Sequence, residues 1–164
     1  MKEYNDYVSM TRRYLKNYNK LKITILNLTE ELNAQQELLQ DESIAISHYG
    51  CELGGGSSEL SATEAAADRR SKTKRKIIEL ENNIAEIQRI INKIDRALEG
   101  LKESDSELVK GYYIDGYSWS QLGVKNYCTE KWARDKGNKA LGEVAFMVFG
   151  IVVKPQQLKF VFAG

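Results

Sequence analysis

Proline, histidine and long apolar runs are nearly absent from this sequence, and each absence excludes a class of protein. Pro155 is the only proline in 164 residues and charged residues make up 29%, which favours a helix-rich chain because proline interrupts helices. With one histidine, no set of nucleophile, base and orienting residue can be assembled, so we expect no enzymatic activity. No segment approaches the roughly 18 apolar residues of a membrane span. The N-terminus also lacks a signal-peptide core, so we expect a cytoplasmic protein without membrane contact.

Cysteine is equally scarce, and the few potential metal ligands are scattered. Cys51 and Cys128 do not make a disulfide framework, so a reducing compartment is expected. His48 and Cys51 are too few for the tetrahedral ligand set of a structural zinc site. Residues 54–56 are glycines, but they lack the strand-to-helix context and the Gly-Lys-Ser/Thr ending of a nucleotide-binding loop. We therefore expect no metal and no cofactor.

Two long stretches carry apolar residues in alternating steps of three and four, which predicts helices with a buried seam. The first seam consists of Tyr7, Thr11, Tyr14, Tyr18, Leu21, Ile25, Leu28, Leu32, Gln35 and Leu39. The second consists of Ile77, Leu80, Ile84, Ile87, Ile91, Ile94, Leu98 and Leu101, with Ala66, Arg70 and Thr73 extending its register backwards. The two seams match in length, so they can bury each other as a coiled coil.

The segment between the seams and the charges that flank it predict the direction of pairing. Residues 41–60 contain Gly54-Gly55-Gly56-Ser57-Ser58 and read as a flexible loop. Acidic residues precede the loop at Glu30, Glu31, Glu37, Asp41 and Glu42, and basic residues follow it at Arg69, Arg70, Lys72, Lys74, Arg75 and Lys76. Folding at the loop lays these runs side by side, whereas a parallel dimer would stack each run on itself. We therefore expect residues 1–103 to form an antiparallel coiled-coil hairpin, with the basic run paired rather than bound to phosphates. Such a hairpin can still dimerise.

Residues 104–150 contain the start and stop signals of three short helices. Ser104 and Glu107 have the spacing of a capping box, and Ser118 with Gln121 repeats it. Asp115-Gly116 predicts a turn, because glycine takes the left-handed conformation that ends helices. Thr129 is placed to cap the third helix. The inward faces would be Leu108, Val109, Tyr112 and Tyr113, then Trp119, Leu122 and Gly123, then Ala133, Gly137, Ala140, Leu141 and Val144.

Three short helices with tight turns predict a helix-turn-helix domain, in which the last helix is offered to a DNA groove. The outward side of that helix would carry Thr129, Glu130, Lys131, Arg134, Asp135, Lys136, Asn138 and Lys139. Lysine, arginine and asparagine hydrogen-bond to guanine and adenine edges, so Lys131, Arg134 and Asn138 are candidate base contacts. The alternative is a solvated helix face. The near cancellation of charge over residues 104–150 favours this alternative, and the spacing of the caps favours DNA binding. The net charge of +1 gives no support for nucleic-acid binding, so a DNA-facing surface must be local.

The same residues resemble region four of sigma factors. The stretch from Tyr112 to Leu122 resembles the tyrosine-rich helix of that family, its glycine-containing turn and a following helix that starts at serine and an aromatic residue. Thr129 lies where the family places the first residue of its recognition helix, and Lys139-Ala140-Leu141 resembles the end of that helix. The chain departs from the pattern at Tyr127, where a turn glycine is usual, and at Gly137, where a larger apolar residue is usual.

The full layout resembles phage late-gene transcription regulators of the ArpU and RinA type. The likeness covers the paired helices, the loop from Ile46 to Leu60 and the terminal helix-turn-helix, up to Gly150. It implies an all-α protein that binds double-stranded promoter DNA in a bacterial cytoplasm, with the coiled coil serving dimerisation or contact to RNA polymerase. The alternatives are a DNA-recognition protein for phage packaging and a coiled-coil adaptor that does not bind DNA. Residues 151–164 are hydrophobic and match neither part; a hairpin of strands and a docking tail both remain open.

Overall fold

The computed structural model describes the backbone of residues 2–49 and 57–150, and the side chains of residues 6–41 and 64–150. Within this part of the chain the protein is all-α, as predicted, and no strand is present. The helices are α1 (Lys2–Lys16), α2 (Tyr18–Tyr49), α3 (Ser57–Glu99), α4 (Glu103–Val109), α5 (Trp119–Lys125) and α6 (Glu130–Phe149), with a π-helical turn at Lys110–Ile114. The expectations for the tail at 151–164 fall outside the described residues.

The helices form two compact units, which we call the first unit and the second unit. The first unit comprises the described part of residues 1–22 and 89–164, and the second comprises that of residues 23–88. None of the helices in the described ranges combines the length and the apolar content that a bilayer crossing requires.

The second unit is the part of the helical hairpin of α2 and α3 that lies between residues 23 and 88. Every predicted seam position from 25 to 39 and from 66 to 87 is at least partly buried, whereas nearly all the positions between them are exposed. Leu80 is the most deeply buried of them. Lys76 on α3 lies 3.4 Å from Glu31 on α2, so the basic and acidic runs are adjacent, as the antiparallel arrangement requires. This ion pair agrees with the predicted direction of pairing; both side chains are partly exposed, so it adds little stability.

The connection in the hairpin is shorter than the sequence indicated. We expected a loop over residues 41–60, but the backbone is helical up to Tyr49 and again from Ser57. No proline or glycine interrupts the chain between Asp41 and Tyr49. Helix propagation adds one hydrogen bond for each residue that is fixed, so an established helix continues until a strong breaker stops it. The loss of an apolar stripe after Leu39 ended the seam without ending the helix.

The first unit joins both chain halves around the helix-turn-helix segment. On α1, Leu15 and Thr11 are buried, and Tyr7 lies with its ring 5.0 Å from that of Phe149 at the end of α6. The ring of Tyr14 stacks on Phe149 from 6.3 Å. The early part of the predicted first seam therefore packs on α6. The sequence predicted that residues 1–103 form one coiled-coil hairpin. Instead, the start of this segment packs on α6, because the rings of Tyr7 and Tyr14 contact Phe149.

A partly buried hydrogen bond joins α2 to α3 inside the first unit. The Tyr18 hydroxyl donates a hydrogen bond to the Asp95 carboxylate, and the ammonium of Lys22 lies 4.5 Å from the Tyr18 ring centre. Ile91, Ile94 and Leu98 surround this level of α3 and are almost completely buried. Burial and the hydrogen bond to Asp95 raise the pKa of Tyr18 above its usual value of 10.0.

Candidate nucleic-acid interface

The first helix of the predicted helix-turn-helix begins earlier than its capping signal indicated. Helix α4 starts at Glu103, its N-cap is Lys102, and no side chain caps it. The predicted capping box of Ser104 and Glu107 is therefore wrong. Ser104 lies within the first turn, where its hydroxyl accepts a hydrogen bond from Nζ of Lys136 at 3.0 Å. Ser104 therefore contacts α6 instead of forming the cap that the local sequence pattern predicted.

The chain leaves α4 through a wider turn that ends where the sequence predicted. Residues Lys110–Ile114 are π-helical, and the amide of Asp115 donates to the carbonyl of Lys110 at 3.0 Å. Gly116 then has a φ of +78°, the left-handed conformation that favours glycine. The predicted Asp115-Gly116 turn is confirmed. The π-helical turn was not predicted, because its wider hydrogen-bond ring has no simple sequence signature.

Helix α5 begins with the capping box that the sequence indicated. The amide of Ser118 donates to Oε1 of Gln121 at 2.8 Å, and the amide of Gln121 donates to Oγ of Ser118 at 3.2 Å. Trp119, Leu122 and Gly123 form the buried face of α5, as predicted. These reciprocal bonds set the first residue of α5 and thus the direction in which its short apolar face points.

A close backbone approach links α5 to the start of α6. A methyl group added at Gly123 would lie 2.9 Å from the carbonyl oxygen of Cys128 and 3.2 Å from the amide nitrogen of Glu130. The Cys128 amide donates to the Gly123 carbonyl at 2.9 Å. Tyr127 within this turn has a φ of +53°. The backbone of this turn therefore lies against α5, although tyrosine stands where the sigma-factor pattern has a glycine.

Helix α6 presents the predicted inner stripe. The Thr129 hydroxyl accepts a hydrogen bond from the Trp132 amide at 3.2 Å and so caps the helix as expected. The buried residues of α6 include all five members of the predicted stripe: Ala133, Gly137, Ala140, Leu141 and Val144. Trp119 packs on Gly137 and stacks on Tyr112 with ring centres 3.8 Å apart. The indole thus occupies the space that a larger residue at 137 would need.

The structure brings most of the predicted contact residues to one exposed surface, which we call the α6 surface. Its exposed members are Thr129, Glu130, Lys131, Arg134, Asp135, Asn138 and Lys139. Arg134 lies 3.9 Å from Glu130, and both side chains are about half exposed. Such a surface pair contributes little stability, so the guanidinium can leave Glu130 for another acceptor at small cost.

Asn138 lies at the edge of the α6 surface and has a partner in the core. The Tyr113 hydroxyl donates a hydrogen bond to Oδ1 of Asn138 at 3.3 Å. Burial raises the pKa of Tyr113 above its usual value, which favours the protonated hydroxyl that donates this bond. This contact orients the Asn138 amide and leaves its NH₂ group available as a donor.

Lys136 is the predicted residue that does not join the α6 surface. Its ammonium lies 3.0 Å from Ser104 and 3.3 Å from Asp105, and it sits 4.5 Å from the centre of the Trp132 ring. Each step along a helix turns the side chain by about 100°, which carries residue 136 towards α4. Lys136 joins α4 to α6 rather than facing outwards.

Two exposed residues next to the α6 surface were not among the predicted contacts. Lys125 ends α5, and Tyr127 follows it in the turn. The residues Lys125 and Lys131 therefore flank the turn on both sides. A basic residue in the last turn of the preceding helix is the sequence feature that would have added Lys125 to the candidates.

Potential metal ligands and reactive cysteines are few in the described part of the chain. Among the side chains that the structure describes, no group of His, Cys, Asp and Glu is placed to hold a metal ion. Cys128 is a half-buried free thiol in the turn before α6. The side chain of His48, and Cys51 as a whole, fall outside the described residues. Comparison of the chain with protein-family profiles, with curated proteins and with solved structures yields no match.

Proposed function

We propose that this chain is a sequence-specific DNA-binding protein that regulates transcription, activating phage or prophage late-gene promoters in the cytoplasm of a bacterial host. The proposal is for a binding protein without catalytic activity, metal or cofactor. The promoter class follows from the resemblance to late-gene regulators of the ArpU and RinA type. DNA binding itself is supported by the geometry of α4, α5 and α6.

The observation that carries the proposal is the way α5 holds the N-terminal half of α6. The Ser118 capping box, the close approach at Gly123 and the Thr129 cap together set the start and the rotation of α6. The inner stripe is then buried and the polar side is left exposed. A helix that projects polar side chains from a tight helix-turn-helix is the arrangement that enters a major groove.

Five residues of the α6 surface have proposed roles. Arg134 exchanges its weak contact with Glu130 for the O6 and N7 atoms of guanine, a bidentate contact. Lys139 contacts a phosphate, which adds affinity without sequence preference. Lys131, a candidate base contact from the sequence, is assigned to a phosphate as well, because it lies in the first turn of α6 next to the turn that precedes this helix. Asn138, oriented by Tyr113, offers its NH₂ group to a base edge. Asp135 limits the total positive charge and so disfavours non-specific binding.

The second unit is proposed to bring two copies together or to contact RNA polymerase. Four large aliphatic side chains on it are between 52% and 63% exposed: Ile23, Leu26, Leu38 and Ile78. The exposure of these four aliphatic side chains is the observation that supports a protein contact on the hairpin. A dimer would place two recognition helices on one duplex, as promoter half-sites require.

A gel-shift titration of the full chain against the late-promoter region of its own phage or prophage tests the proposal. Random duplex of equal length serves as the competitor. The titration is run at about 50 and about 200 mM salt, because phosphate contacts weaken as the salt concentration rises. Retention of the promoter complex over random duplex supports the proposal. Absence of any complex at the lower salt overturns it. A reporter under that promoter, without packaging proteins, separates an activator from a packaging protein.

The exposed aliphatic residues of the second unit also favour a second candidate, a coiled-coil adaptor that acts on proteins alone. Size measurement in solution, with and without Leu26→Ser and Ile78→Ser, tests whether these residues hold copies together. An adaptor predicts self-association that depends on them together with no DNA binding at low salt. DNA binding that survives the two substitutions excludes the adaptor as the sole function.

A further inference from the structure

Tyr127, in the turn between α5 and α6, combines two unfavourable properties. Its φ is +53°, and within the described part of the chain no other residue except glycine has a positive φ. Its side chain is 99% exposed. A bulky residue in the left-handed region is strained because its Cβ crowds the following carbonyl. An exposed ring gains no burial to offset that strain.

The fold does not require a tyrosine at this position. The turn is held by backbone hydrogen bonds, from the amide of Tyr127 to the carbonyl of Val124 at 3.3 Å and from the amide of Cys128 to that of Gly123 at 2.9 Å. Glycine would make the same bonds without strain. A strained residue whose side chain does not stabilise the fold indicates that the side chain has another function, such as binding.

The residues around Tyr127 indicate the kind of partner that its side chain contacts. Lys125 and Lys131 flank the turn and are exposed, and neither makes an ion pair among the described side chains. Glu130, the nearest acidic residue in sequence, faces Arg134. Val124, one turn earlier on α5, is 78% exposed. Two unpaired cations on either side of a phenol suit an anionic surface with hydrogen-bond acceptors, and a row of DNA phosphates is such a surface.

We infer that Tyr127 contacts the DNA backbone, its phenolic hydroxyl donating a hydrogen bond to a phosphate oxygen beside the groove that α6 enters. Lys125 and Lys131 neutralise the neighbouring phosphates. The inference rests on the proposed function and extends its contact surface from α6 to the preceding turn. Because a phosphate contact positions the protein without reading bases, Tyr127 supports binding to promoter and random DNA alike.

Substitution at Tyr127 tests this inference, because stability and binding should change in opposite directions. Tyr127→Gly removes the strain and the hydroxyl, so the melting temperature should rise by roughly 2–4 °C while affinity for DNA falls about tenfold. Tyr127→Phe keeps the ring and the strain and removes only the hydroxyl. It should lower affinity for both duplexes several-fold and leave the melting temperature unchanged, so the test does not depend on the glycine variant folding well.

The matched control is Tyr14→Phe, which removes a phenolic hydroxyl on α1, beside Phe149 at the opposite end of α6. It should bind both duplexes as the wild type does. Wild-type affinity in both Tyr127 variants, with the wild-type protein binding DNA, overturns this inference and leaves the proposed function standing. Absence of binding by the wild-type protein at low salt removes both. Loss of self-association in Tyr127→Gly with unchanged DNA binding assigns the turn to a second copy and overturns the inference.

Discussion

The indole ring of Trp119 lies directly on Gly137: a methyl group added at residue 137 would be 2.5 Å from Cη2 and 2.7 Å from Cζ3 of the ring. Trp119 is itself held between helices, stacked on Tyr112 and edge-on to Tyr113. The contact joins the first residue of α5 to the middle of α6. It therefore sets the distance between the two helices that form the candidate DNA-binding element.

Gly137→Ala should destabilise the first unit. Overpacking a core costs about 1–3 kcal/mol, and the better helix propensity of alanine offsets up to about 1 kcal/mol. We expect the free energy of unfolding to fall by about 1–2 kcal/mol, measured by urea titration. In a Trp119→Phe background, where the ring is smaller, the same substitution should cost less. An equal cost in both backgrounds would mean that the strain lies elsewhere.

Arg134→Ala and Lys139→Ala should separate base reading from phosphate contact. Loss of the Arg134 guanidinium should weaken promoter binding by about 1–3 kcal/mol and random-duplex binding much less. Lys139→Ala should weaken both about equally and reduce the salt slope by about 1. Both residues are exposed, so circular dichroism and melting temperature should stay at wild-type values. Equal loss on both duplexes for Arg134→Ala would remove Arg134 from the base-reading role.

Lys136→Met should reduce stability and leave DNA binding intact. The substitution keeps the apolar stem over Trp132 but leaves the Asp105 carboxylate, whose side chain is only 13% exposed, without its cation. We expect a loss of about 1–2 kcal/mol in the free energy of unfolding, measured by urea titration. Lys139→Met, on an exposed position of the same helix, is the control and should cost much less. Weakened DNA binding at unchanged stability would indicate that Lys136 contacts DNA, as the sequence first suggested.

Ile87→Asp should disrupt the second unit, since Ile87 lies on the seam of α3. The change removes partly buried apolar surface and introduces a charge there, which should cost about 2–4 kcal/mol. Ile78→Asp makes the same chemical change in the same helix at a position that is 58% exposed, so it should cost less than about 1 kcal/mol. Thermal unfolding followed by circular dichroism compares them. Similar melting temperatures for the two variants would show the seam assignment to be wrong.

Stability should fall at alkaline pH through Tyr18. Burial, followed by the hydrogen bond to Asp95, raises the pKa of Tyr18 above 10.0 in the folded state. Below pH 10 both states keep the phenolic proton. Above pH 10 the unfolded chain loses it first, so the free energy of unfolding decreases until the pH passes the raised pKa. In Tyr18→Phe the free energy of unfolding should decrease less steeply between about pH 9 and about pH 11 than in the wild type. An identical slope would contradict the prediction, and measurement at pH 8 controls for the lost hydrogen bond.

Local patterns predicted the elements whose causes are local. The seams at 25–39 and 77–87, the capping box of Ser118, the Thr129 cap and the left-handed Gly116 depend on residues within a few positions of one another. Spacing and residue type are then sufficient, because the hydrogen bonds and the buried face are set within one helix or turn. The inner stripe of α6 was predictable for the same reason.

What packs against each face was decided by the tertiary structure alone. Periodicity marks Tyr7 and Tyr14 as inward-facing, but nothing near them in sequence identifies Phe149 as their partner. Likewise, Ser104 has the chemistry of a cap, and only the arrival of Lys136 from α6 shows that its hydroxyl serves another helix. The left-handed backbone of Tyr127 follows from the close approach at Gly123, not from any preference of tyrosine. Contacts between distant segments depend on how all the faces fit at once, so a single stretch of sequence cannot specify them.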